Sequence, residues 1–467
     1  MTTGNLHQLS ARQIAEGVRA RQFTATAVTV AFLGRIEALN PKINAYTLVT
    51  ADRALAEAAR VDAAIAAGDD PGPLAGAPYG VKNLFDLEGE VTVAGSKINR
   101  DDPPAATDAT VVARLAKAGA VCLGATNMGE YAYDFVTINA HDGATRNPHD
   151  LSRSAGGSSG GSGAAVAAGL ASFTLGTDTN GSVRVPSSFC GVWGLKPTYS
   201  LLSRAGVYPF VASLDTVGTF ARSVADLAAT LDIMAGSDPR DPDCGRLAAP
   251  PCGRDMELGA KGLRVATLGG YFARGWTLQL AAAIASVADA LDAGPVIELP
   301  RPDVARGAAF SITAAEAGEF HRQRLSARAA DFDPASRDRL IAGLLAPGAW
   351  YLKAQRFREW WKHEVARVFE DVDVLIAPAT PMTAPGLDEQ TFDFDGATLP
   401  LRANVGLFTQ PITLVGLPVL AAPVHTPGQM PTAVQLIGKP NSEAILLRVA
   451  RELEQKGVCK APLGRAA

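Results

Sequence analysis

Residues 154–182 read SAGGSSGGSGAAVAAGLASFTLGTDTNGS, and the rest of the chain is read outward from them. Two glycine-rich turns carry serines at their centres, Ser158 and Ser182, joined by small apolar residues. Glycine at that density admits positive φ and close backbone approach, at an entropic cost that a plain connector avoids. Such a cost is justified where a turn presents a hydroxyl and several N–H groups to a ligand. Between the turns the pattern predicts a helix over 164–171 and a strand over 172–175, an α/β layering.

Upstream, apolar residues at three- and four-residue spacing predict helices over 9–19 and 24–39, with Ser10 and Thr24 as N-caps. An alanine-rich helix follows over Ala51–Ala67. Residues 77–84 (APYGVKNL) read as a strand carrying Lys82, 108–118 as a helix and 120–124 as a strand. Downstream, 221–235 reads as a helix, and 236–262, rich in Pro, Asp and Gly, as a surface loop. Strands are expected over 263–268, 296–299, 372–377, 415–423 and 433–438, and helices over 278–291, 350–369 and 442–456. Strands lying early and late around one glycine-rich core predict a single α/β domain over 1–467. Its parts are a helical N-terminal segment to about 70, a core over about 74–226, the loop over about 236–262, and a remainder that completes the layers.

The chain has 467 residues, 47% hydrophobic and 19% charged, with formal net charge -4. No basic field points to direct nucleic-acid contact or to an anionic membrane. The five cysteines are scattered without a CxxC pair, which fits a reducing compartment and argues against zinc. The N-terminus lacks an apolar leader core. Residues 160–176, the longest weakly polar run, are too short and too rich in Gly, Ser and Ala to span a bilayer of about 30 Å. A cytoplasmic enzyme without metal or cofactor is expected.

Several nucleophile schemes compete. GGSSG at 156–160 matches the G-x-S-x-G elbow, with Ser158 attacking; of the downstream histidines, only His425 is a credible base. His321 and His363 sit in charged helical contexts and are expected on solvated faces. The S-x-x-K and phosphate-loop patterns are absent. A Ser–Ser–Lys scheme uses more of the chain. Lys82 lies in an apolar segment, and an ordinary lysine of pKa ~10.4 is neutral in only about one molecule per thousand near pH 7.4. Burial lowers that pKa and makes the amine a usable base. The bland alternative pairs Lys82 with a carboxylate such as Asp86. At GTDTNGS, the N–H groups of Thr179, Asn180, Gly181 and Ser182 are expected to converge on an oxyanion. Asp178 and Arg184 are expected to pair and stiffen the turn.

The segments GAPYGVKNLFD, AGSKINR, TNMGEYAY, TRNPHD, AGGSSGGSGAAVAAG, GTDTNGSVRVPSSFCGVWGLKPT and AVQLIG, taken in order, resemble the amidase signature family. The likeness runs from about 74 to 226, with weaker echoes to the C-terminus. It implies an open mixed β-sheet wrapped by helices, and a catalytic triad of Lys82, Ser158 and Ser182 with a cis peptide at Gly157–Ser158. It also implies acyl transfer: Ser182 attacks an amide while Ser158 passes the proton to Lys82. Met128 and Tyr131 fall in the family's substrate-facing region. Most members carry Gly-Gly before the nucleophile; here Asn180 takes the first place, narrowing the acyl pocket and adding a donor and an acceptor. TNGS, KNLFDLEG, AGSKINR, RAGVYPFVASLD, WYLKAQRFR and LFTQP resemble members acting on small carboxylated ureas. Those members release ammonia and associate with a small helical subunit, which implies a homo- or hetero-oligomer. Arg146, Arg204 and Arg402 are candidates for a substrate carboxylate. An A-type subunit of a glutamine-dependent aminoacyl-tRNA amidotransferase, or a hydrolase of another ureido acid or amide, stays open.

Overall fold

The computed structural model describes residues 3–245 and 251–466, so part of the expected loop over 236–262 lies outside the described residues. Eleven strands form one mixed sheet. In chain order they are β1 (Tyr46–Val49), β2 (Pro78–Lys82), β3 (Val121–Thr126), β4 (Phe173–Asp178), β5 (Trp193–Lys196) and β6 (Thr216–Ala221). The later strands are β7 (Val265–Leu268), β8 (Val296–Ile297), β9 (Val374–Pro378), β10 (Val419–Val424) and β11 (Thr432–Gly438). Across the sheet they run β1-β3-β2-β4-β6-β5-β10-β11-β9-β7-β8, so strands from both ends of the chain meet side by side. β2 is parallel to β3 and β4, and β6 is antiparallel to both β4 and β5. The central strands read as near-continuous apolar runs because helices cover both faces.

Several boundaries differ from the pattern-based reading, each for a local reason. The strand expected over 172–175 continues to Asp178, because Thr216–Ala221 is itself a strand that pairs with it residue by residue. That pairing removes the first turn of the helix expected over 221–235, which starts at Val224 behind the N-cap Ser223. The helix expected over 164–171 spans Gly160–Ala167 instead. Its opening glycines are required by packing: a Cβ on Gly161 would sit 2.4 Å from Asn127 N and 2.5 Å from Ala45 O.

Two helices, Pro302–Arg328 and Pro334–Leu345, are not legible in the sequence. The first buries four alanines, with Ile312 and Leu325 the large aliphatic residues beside them, so no stripe of large side chains announces it. Thr313 on the first reaches Asn180 in the second glycine turn, and Ser336 on the second reaches Glu130.

Candidate active site

β2 and β4 run parallel with Val81 opposite Leu175, so their next residues, Lys82 on one strand and Gly176–Thr177 on the other, emerge side by side. The Gly160–Ala167 helix brings Ser158 to the same place from its N-terminal side. Lys82 is fully buried; its Nζ donates to Ser158 Oγ at 2.8 Å and to Thr177 Oγ1 at 2.9 Å. Asp86, the alternative partner, accepts instead from Thr92 Oγ1 at 2.5 Å. Burial drives the Lys82 pKa down to about 7, against the opposing pull of the Asp215 and Asp178 charges. An uncharged amine with hydroxyl partners is equipped to take a proton from a serine. The Gly157–Ser158 peptide is cis.

Ser182 ends the second turn and is 3% exposed. Behind it Asp178 and Arg184, both fully buried, form the expected pair, with Nε–Oδ2 at 3.0 Å and Nη2–Oδ1 at 2.9 Å. Burial pushes the Asp178 carboxyl up, but the Arg184 guanidinium, the Lys196 charge and the Val183 N–H together hold the pKa below the usual carboxylate range. The same carboxylate accepts from Gly181 N at 2.8 Å and Val183 N at 3.1 Å, clamping the turn from behind. Gly181 has φ +135, and a Cβ there would meet Thr409 Oγ1 at 2.3 Å. Its N–H is thus committed to Asp178. The N–H groups of Thr179, Asn180 and Ser182 make no hydrogen bond among the described residues.

Ser182 opens on a cavity walled by residues 132–135 together with Phe210 and Phe310. Asn180, Thr313, Gln410, Arg339 and Arg402 supply its polar lining. Asn180 Nδ2 donates to Thr313 Oγ1 at 2.9 Å, and its Oδ1 is buried without a partner. Met128 and Tyr131 are buried and are not among the residues that line this cavity. Tyr131 donates to Asn99 Oδ1 at 2.9 Å and packs on His321, ring centroids 4.0 Å apart.

His321 corrects the sequence reading. It is fully buried, both ring nitrogens lack partners, and burial lowers its pKa to about 3. The solvated helix face expected there is covered by Tyr131 and Phe332. His363 is exposed, beside Glu359. His425, the base that the elbow scheme needs, has Nε2 3.1 Å from Gly191 O and lies against His149, while the partner of Ser158 is Lys82.

The three candidate arginines separate cleanly. Arg146 donates to Leu151 O at the surface, and Arg204 is held by Asp241 and Asp243. Arg402 lines the Ser182 cavity with one hydrogen bond among the described residues, 3.2 Å to Asp134 Oδ1. Arg339, which no motif flagged, stands in the same cavity, 4.2 Å above the Tyr133 ring. No motif could have found Arg339, because it sits on the second of the unforeseen helices. Among the described residues no group of three or more His, Cys, Asp or Glu is placed to hold a metal ion, and no helix is long and apolar enough to cross a membrane.

Comparison with known proteins adds a second line of observation. The family model Amidase matches residues 27–447. The AtzE subunit of 1-carboxybiuret hydrolase from Pseudomonas sp. strain ADP is 49% identical, over 96% of this chain and 98% of that protein. The GatA-type component of the glutamyl-tRNA(Gln) amidotransferase of Carboxydothermus hydrogenoformans is 39% identical over 96% and 97%. Among solved structures, an inhibitor-bound s-triazine catabolic enzyme, described as part of a vestigial protein complex, superposes with TM-score 0.96. It is 48% identical and covers 97% of this chain and 100% of that one. A 6-aminohexanoate cyclic dimer hydrolase with substrate gives TM-score 0.88 at 29% identity, covering 99% of each chain.

Proposed function

This chain belongs to the amidase signature family, and we propose that it hydrolyses the C–N amide bond of a small carboxylated urea of the 1-carboxybiuret kind, releasing ammonia. The observation that carries the chemistry is the buried Lys82 amine, 2.8 Å from Ser158 and half neutral near pH 7. Ser182 attacks the carbonyl, its proton passing through Ser158 to Lys82. The N–H groups of Thr179, Asn180 and Ser182 stabilise the oxyanion. Gly181 serves that turn through Asp178 and does not donate to the oxyanion itself. As the tetrahedral intermediate collapses, Lys82 and Ser158 return the proton to the leaving nitrogen. Water then repeats the sequence on the acyl-enzyme.

Two features support the substrate class. Arg339 and Arg402 share the cavity with the single carboxylate of Asp134, leaving a net positive wall for a substrate anion. Asn180, tied to Thr313, limits the room beside Ser182 to a small acyl group. The relative sharing 49% of its sequence is named for such a substrate. We further propose that the protein works in the cytoplasm and in an oligomer with a small helical partner; the solved relative in a protein complex supports this. A component of a glutamine-dependent amidotransferase is the second reading, favoured by the 39% identical relative.

The test is ammonia release, without tRNA, from 1-carboxybiuret, biuret, allophanate, oxalurate and malonamate. Turnover of 1-carboxybiuret well above the others is expected. Ammonia release from glutamine alone, with no ureido acid consumed, overturns the assignment.

A further inference from the structure

Gln410 opens a four-residue helix, Gln410–Thr413, and is 1% exposed on the wall of the Ser182 cavity. Its Oε1 accepts from Arg306 Nε at 2.9 Å. A guanidinium only donates, so this contact fixes which end of the amide is oxygen. The –NH2 end is turned away from Arg306 and makes no hydrogen bond among the described residues. Arg306 is itself anchored, donating to Ala403 O at 2.8 Å and Asn404 Oδ1 at 2.7 Å and lying 5.2 Å above the Phe310 ring.

The position of Gln410 is keyed to the nucleophile turn. Its neighbour Thr409 donates from Oγ1 to Asn180 O at 2.6 Å, and its backbone carbonyl accepts from Arg184 Nη1 at 3.0 Å. Gln410 lines the cavity, so this amide donor is placed to meet an acceptor on a bound ligand. Held at a fixed offset from Ser182, it forms a preorganised subsite.

We propose that Gln410 is a specificity-determining residue whose amide donates to a second carbonyl oxygen of the substrate, so the site selects acyl groups that carry one beyond the scissile amide. Arg306 is the positioning residue that keeps the amide in that orientation. The proposal deepens the substrate reading above and rests on it for the identity of the cavity.

The experiment measures binding by calorimetry on the Ser182→Ala protein, so no turnover is required. Biuret, with two carbonyls, is compared with urea, which has one. Adding Gln410→Met should weaken biuret about tenfold, the loss of one uncharged hydrogen bond, and leave urea unchanged. Gln410→Glu, which keeps the shape and the Arg306 contact but has no N–H, should show the same loss. Arg306→Lys should retain the biuret-to-urea ratio, and Arg306→Met should lower it. Equal biuret affinity with and without Gln410, or no biuret binding to the Ser182→Ala protein, overturns the proposal. Failure of wild-type turnover on 1-carboxybiuret is a separate result that bears on the proposed reaction alone.

Discussion

Replacing Lys82 with methionine should abolish turnover and yet stabilise the fold, by an amount that depends on pH in a defined way. The amine is fully buried and its pKa falls from 10.5 to about 7. At 1.36 kcal/mol per unit, that shift costs the folded wild type up to ~5 kcal/mol below pH 7. Between pH 7 and 10.5 the unfolded chain holds a proton that the folded one does not, so wild-type stability from this group rises with pH. Methionine is close in size and has no charge to desolvate. It loses two donor bonds, to Ser158 and Thr177, at about 1 kcal/mol each. The variant should therefore be more stable by ~3 kcal/mol at pH 6, with the difference vanishing by about pH 9. Urea denaturation of both proteins at pH 6, 7.5 and 9 reads this directly. A difference that does not change with pH would mean that the amine is charged in the folded state, and the proposed proton path would fall with it.

Three further outcomes are expected. Because Lys82 must be neutral, kcat/KM should rise about tenfold per unit below pH 7, reach half its maximum near pH 7 and flatten above; a profile flat from pH 5 to 9, with chemistry limiting, would contradict this. Ser182→Ala should remove measurable turnover, whereas Ser158→Ala should leave a residue of activity if a water bridges to Lys82, both read by ammonia release. Asn180→Gly, which removes the side chain held by Thr313, should admit bulkier acyl amides and lower kcat/KM for small ureido acids about tenfold; an unchanged substrate profile would show that Asn180 does not shape the pocket.

What the chain reveals locally and what it withholds follow from how each feature is built. The Ala51–Ala67 helix is legible to the residue, because alanine spacing and the Gly68 that ends it are contiguous. Ser158 and Ser182 are legible for the same reason, since each glycine turn is a local structure written in adjacent residues. Lys82 is legible because a lysine in an apolar segment needs a reason to be there.

The walls of the cavity are not legible. Arg402 meets Asp134 across 268 residues of chain, and Arg184 reaches Thr409 across 225. Thr313 rides on a helix whose buried face holds four alanines and a glycine, and Arg339 on one that buries Ser336, Leu340 and Gly343, and neither face leaves a strong periodic trace. His321 illustrates the same limit, since its charged neighbours in sequence are not its neighbours in space. Lys82, Ser158 and Ser182, and the strand on which Lys82 lies, can be read from adjacent residues, because local backbone chemistry sets those stretches. Which arginines line the Ser182 cavity, which way the Gln410 amide points and how far burial lowers the lysine pKa are set by packing, because burial and distance exist only once remote segments meet.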